Sequence, residues 1–152
     1  MRRAEKEITD KLSMLEILNS AELLRVAMVD DGEPYLVVMN HAYSDGCIYL
    51  HSAKEGRKID VLKKNNHVAF QTETNVEIVS GDDASRCSTS FLSVFGTGRA
   101  LLLEDRAEKI KGLDAIMKKH TGKEGFEYPE KLFDRTLIIK IEIESMTGKK
   151  SG

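Results

Sequence analysis

The chain of 152 residues is short of cysteine, tryptophan and net charge, and these shortages exclude several kinds of protein. Its two cysteines, Cys47 and Cys87, stand far apart. They form no CxxC pair and have no histidines at ligand spacing, so a metal site is not expected and two reduced thiols are. A formal charge of −2 leaves no broad basic surface for counterion release, so nucleic acid is not an expected partner. No apolar run approaches the ~20 residues that span a bilayer, so a membrane is not expected either. The start, Met1-Arg2-Arg3-Ala4-Glu5-Lys6-Glu7, is polar and no apolar core of a signal peptide follows it. Together these lacks predict a cytoplasmic protein. The phosphate loops GxGxxG and GxxxxGK[ST] are both missing. Repeats and low-complexity linkers are missing too, and the length is that of one domain, residues 1–152.

What is present is a series of short strands. Residues 4–20 carry Ile8, Leu12, Leu15 and Leu18 at helical spacing and predict a helix. Leu24–Val29 and Tyr35–Asn40 flank an Asp31-Gly32 turn, and Cys47–His51 follows a second one, Asp45-Gly46. Three strands joined by tight turns make an antiparallel meander. Glu55–Asn65 predicts a short helix, and Val68–Glu73 and Asn75–Ser80 predict two strands. Thr89–Leu103 is a long strand interrupted by Gly96 and Gly98, which signal a bulge, a corner or a tightly pressed backbone. Asp105–His120 predicts an amphipathic helix, Thr121–Pro129 a loop, and Leu137–Ile143 a last strand. His41 reads as a surface residue beside a turn. A mainly β chain with peripheral helices, closed into a barrel, is the expected fold, since closure removes exposed edges.

The stretch richest in chemistry is Leu50-His51-Ser52-Ala53-Lys54-Glu55-Gly56-Arg57-Lys58. It places a hydroxyl, a glycine, an arginine and a lysine where a strand ends and a helix begins. Helix N-termini offer free backbone N–H groups to anions. Arg57 can grip a phosphate with two N–H groups, Lys58 adds a point charge, and Ser52 can donate once more. The same residues also fit a solvated charged turn, and His51 also fits a satisfied strand-end histidine.

The segment Tyr49-Leu50-His51-Ser52-Ala53-Lys54-Glu55-Gly56-Arg57-Lys58, with Leu62 and Asn65-Asn66 after it, resembles the phosphate-binding segment of the pyridoxamine 5′-phosphate oxidase-like split barrels. Within them it is most similar to the 5-nitroimidazole resistance (Nim-type) flavin-nucleotide-binding subgroup. Met1-Arg2-Arg3, Pro34–Asn40, Ser93–Ala100 and Met146-Thr147-Gly148-Lys149 resemble further pieces of that subgroup in the same order. The resemblance implies a six-stranded antiparallel split β-barrel, a homodimer, and flavin mononucleotide (FMN) at the subunit interface, with FAD served by the same phosphate site.

Carried over by position, Arg57 and Lys58 hold the phosphate and Ser52 assists. Val38, Met39 and Asn40 meet the flavin ring. His51 sits at the flavin and acts on the substrate side as the catalytic residue. Ser93 and Phe95 reach the site from their own chain or across the dimer interface. The chain departs from the family in having Val38 where proline is common. It also lacks the Arg-x-His pair of true pyridoxamine phosphate oxidases, so that activity is not expected. The implied activity is reduction of a small molecule, such as a nitroaromatic, with electrons from a small donor. A non-catalytic flavin carrier or sensor, and a barrel for haem or deazaflavin, are the alternatives.

Overall fold

The computed structural model describes residues 3–152, so most of the Met1-Arg2-Arg3 signature lies outside the described residues. Eight strands and four α-helices follow one another. The strands are β1 (Glu7–Ile8), β2 (Leu23–Asp30), β3 (Glu33–Asn40), β4 (Ala42–Ser44), β5 (Cys47–Ala53), β6 (His67–Val79), β7 (Ser88–Leu103) and β8 (Thr136–Ser151). The helices are α1 (Lys11–Ser20), α2 (Arg57–Lys64), α3 (Arg106–Thr121) and α4 (Glu130–Arg135). All strand pairs are antiparallel, in the order β3-β2-β6-β7-β8-β5-β4, with β1 added to β8. The sheet curls until β3 touches β5, but no ladder joins them. That unzipped seam makes this a split barrel, with eight strands rather than the expected six.

Both Asp-Gly turns form with Asp31, Gly32, Asp45 and Gly46 at positive φ, which is the geometry that selects these residues. The helix expected over 4–20 begins only at Lys11, where the Asp10 carboxylate accepts from the Ser13 N–H at 2.7 Å and caps it. Glu7–Ile8 instead pairs with Gly148 and Lys149 of β8. The two strands expected between Val68 and Ser80 are one long strand. Asn75, at φ +55°, makes the irregularity that the sequence reading took for a break. In β7, a Cβ on Gly96 would lie 2.2 Å from the Phe70 ring, and one on Gly98 would lie 2.3 Å from the Glu142 carbonyl. The β7–β8 register shifts between those glycines, so they mark both a bulge and a close approach.

Alternation along β5 sorts its side chains. Ile48 and Leu50 fill the barrel core, and Tyr49 joins a second core beneath α3 with Ile138, Leu113 and Ile116. β8 is buried on both faces between Leu137 and Ile141, because the barrel lies on one side and α3 on the other. Helices α1 and α2 pack Leu18, Ile59 and Leu62 into the barrel core.

Candidate functional site

Strand alternation places His51 and Ser52 on opposite faces of β5. Ser52 is buried on the barrel side, and His51 is exposed on the side facing away from the core. The chain then turns at Gly56, whose φ of +119° favours glycine and which no side chain crowds. α2 starts there with no side-chain cap. Gly56 O accepts from the N–H groups of Ile59 and Asp60, at 2.8 and 3.2 Å. The N–H groups before these point out of the helix end.

Arg57 is held from two sides. Its Nε donates to Asp30 Oδ2 at 2.8 Å, and its guanidinium lies 4.4 Å from the centre of the Tyr35 ring. Among the described residues its two Nη groups have no partner. Lys64, one helix length further, donates to Asp31 Oδ2 at 2.9 Å. The acidic β2–β3 turn thus ties down both ends of α2. Lys58 is half-buried, and burial holds its ammonium below the ordinary lysine pKa. It makes no ion pair among the described residues.

His51 shares this neighbourhood. Desolvation, then the charge of Lys58 and then that of His120, hold its pKa below the ordinary histidine value, so the ring is neutral at pH 7. His120, at the C-terminal end of α3, donates from Nε2 to the His41 carbonyl at 3.2 Å. The flank of β3 that follows Asn40 is thereby joined to the helix.

On β3 itself, Val38 and Asn40 face outward and Met39 is buried in the barrel. Val38 pairs with Arg25, Arg25 with Gln71, and Gln71 with Phe95. With strands about 4.8 Å apart, Phe95 lies roughly 14 Å from Val38. Ser93 sits two residues earlier in β7, opposite Glu73. One chain therefore gathers His51, Arg57 and Lys58 around the end of β5, with Ser52 beneath them, and leaves Ser93 and Phe95 on a separate part of the outer sheet.

Sequence reading missed three groups here. Asp30 and Tyr35, at the ends of the two strands that flank the first Asp-Gly turn, are brought to Arg57 only by the fold. His41 is fully buried, not at the surface: its Nε2 lies 2.7 Å from Leu18 O and 2.9 Å from Lys119 Nζ. A surface hollow of about 560 Å³ between β4 and α3 contains none of the predicted site residues. No cluster of metal-ligating side chains and no membrane-length apolar helix occurs among the described residues.

The family model for pyridoxamine 5′-phosphate oxidase matches residues 10–150. The chain belongs to that family. Among solved structures it is similar to a candidate 5-nitroimidazole antibiotic resistance protein from Bacteroides thetaiotaomicron, with 32% identity over 95% of this chain and 86% of that one and a TM-score of 0.85. It is also similar to an FAD-binding protein from Mesorhizobium loti, with 27% identity, 94% and 96% coverage and a TM-score of 0.69. A flavocytochrome from Azotobacter vinelandii, 19% identical, covers all of this chain and 72% of its own at a TM-score of 0.84, which shows the shared fold. A search of curated protein sequences gives no significant match.

Proposed function

We propose that this protein binds flavin mononucleotide along the β3–β5 seam and passes electrons from a small donor to a small acceptor such as a nitroaromatic. The observation that carries the reading is the end of α2. An uncapped helix start converges there with an arginine whose two Nη groups and a half-buried lysine whose ammonium have no partner among the described residues. Three such donors fit a phosphate dianion. When bound, the flavin would supply the electron transfer that none of these side chains can perform.

The chain's own residues bind and orient. Arg57 grips the phosphate with its Nη edge while Asp30 fixes Nε and the Tyr35 ring supports the guanidinium plane. Lys58 adds charge and Ser52 a hydroxyl donor. Val38 offers an apolar surface to the ring, Asn40 polar groups to its edge, and Met39 backs this strand from the core. His51, neutral at pH 7, donates a ring N–H to the cofactor edge or to the acceptor. The 32% identical protein described as a candidate nitroimidazole resistance protein supports a nitroaromatic acceptor. The 27% identical FAD-binding protein makes FAD the second reading, since FAD presents a phosphate to the same residues.

The same reading includes a homodimer in the cytoplasm. The outer face of β3-β2-β6-β7 exposes Val29, Leu36, Val38 and Phe95. A two-fold partner would cover this apolar face and bring Ser93 and Phe95 of the second copy toward the flavin.

The test is the visible absorption spectrum of the purified protein, with a titration of added FMN. Wild type should hold flavin through desalting. Arg57→Ala should weaken FMN binding by about 1.5–3 kcal/mol, the worth of a hydrogen bond to a charged group. Asp30→Asn should weaken it less, because the guanidinium remains but is no longer aimed. A protein that ignores added flavin, or an unchanged affinity in Arg57→Ala, refutes the assignment.

A further inference from the structure

A cavity of about 320 Å³ opens between α2, the start of α3 and the ends of β7 and β8. Lys54, Lys63, Lys109 and Glu104 line it over a floor of Ile59, Leu102 and Leu137. Lys109 is the unusual member, because it is only 5% exposed. An ammonium has three N–H groups. Among the described residues, Lys109 places one of them, on Phe133 O at 3.3 Å. None of the three lysines forms an ion pair among the described residues.

Burial, and then the charge of Lys54, hold Lys109 below the ordinary lysine pKa, while Glu104 and Asp134 pull the other way. A buried cation with idle donors is costly unless something else satisfies it. Lys109 lines this cavity together with Lys54 and Lys63, both of which are exposed. Three lysines against Glu104 in the lining, with Asp134 close enough to act on Lys109, leave the cavity net positive. Its volume is at the lower end of the ~300–1,000 Å³ usual for small-molecule sites. The apolar floor calls for more than a bare ion.

We propose that this cavity binds the phosphate group of a small phosphate ester, with Lys109 as its buried anchor and Lys54 and Lys63 closing over the anion. The site is separate from the proposed flavin phosphate site. Arg57 and Lys58 lie at the start of α2 and reach toward Asp30 and His51, whereas Ile59 and Lys63, one helical turn apart, present a different strip of the helix.

The probes are AMP and inorganic phosphate, titrated by calorimetry into the protein as purified. AMP should bind saturably and more tightly than inorganic phosphate. Lys54→Ala/Lys63→Ala, which changes only exposed side chains, should weaken AMP at least tenfold. Lys109→Met should do the same while keeping the wild-type circular dichroism spectrum. Arg57→Ala should leave AMP binding unchanged, which separates this site from the flavin site and lets either assignment fail alone. No saturable binding to wild type would overturn the proposal. So would full affinity in the lysine variants, loss of AMP in Arg57→Ala alone, or equal affinity for AMP and inorganic phosphate.

Discussion

Lys109 and Lys119 sit on the same helix, and the fold treats them in opposite ways. Lys119 Nζ lies 2.7 Å from Ala21 O, 3.3 Å from Leu18 O and 2.9 Å from His41 Nε2. Three polar atoms therefore surround it, and it bolts the C-terminal end of α3 to the end of α1 and to the residue after β3. Lys109 is less exposed and, among the described residues, donates to one carbonyl, that of Phe133. A half-buried ammonium held by two backbone carbonyls is a structural fastener. One with idle donors facing a cavity is equipped to bind. Exposure alone would have ranked the two the other way round.

The sharpest way to break this comparison is through pH. Burial first, and then the positive charge of Lys119, push His41 down to about 4, with His120 adding a smaller push and the Leu18 carbonyl opposing it. Its unfolded value is 6.5. Above that value neither state takes up the proton. As the pH falls through the window from 6.5 to 4, the unfolded chain binds a proton that the folded chain refuses, so stability is lost there. The loss should be roughly 3 kcal/mol at the acid end, since each pKa unit is worth about 1.4 kcal/mol. Urea unfolding at stepped pH should show this limb in wild type and a flatter one in His41→Gln. Equal acid limbs would mean that His41 is not the group responsible.

A smaller effect comes from removing the fastener. Lys119→Met strips the Ala21 carbonyl of this donor and leaves Leu18 O to His41 alone, and should cost about 1–3 kcal/mol in urea unfolding at neutral pH. The smallest effect is at the other end of the helix. Lys109→Met replaces an under-satisfied cation with an apolar chain of similar length and gives up one long hydrogen bond. Its stability should stay within about 1 kcal/mol of wild type, in either direction. If the two methionine variants were equally destabilised, the contrast between fastener and binding group would disappear.

Much of the fold was legible because it rests on local rules. The two Asp-Gly turns demanded positive φ, and the structure places them so. Gly96 and Gly98 announced a tight place in a long strand, and Phe70 and the β8 carbonyls occupy the space that their side chains would need. The helix expected over Asp105–His120 forms as α3, with the Asp105 carboxylate accepting from the N–H groups of Ala107 and Glu108 as its cap. The polar tail of β8 was not. Residues Glu144 to Ser151 lack an apolar alternation, and they form a strand because β7 offers backbone partners from Ser145 to Ser151 and β1 adds a second side at Gly148 and Lys149. The first strand escaped for the same reason: Ile8 fits a helical stripe as well as it fits against Gly148.

For the candidate site, the sequence by itself determined the cluster of ligating groups. Ser52, Gly56, Arg57 and Lys58 are neighbours along the chain, so the junction of β5 and α2 necessarily holds them together. Only the tertiary structure decided what surrounds them. Asp30 and Tyr35 reach Arg57 because the β2–β3 hairpin folds over α2. His51 and Ser52 part company because strand alternation turns consecutive residues to opposite faces. Lys54, Lys63 and Lys109 come together because helix packing joins segments distant in sequence. Sequence specifies contacts closed over a few residues. Contacts between distant segments depend on how the sheet curls and on which side chains it leaves facing one another.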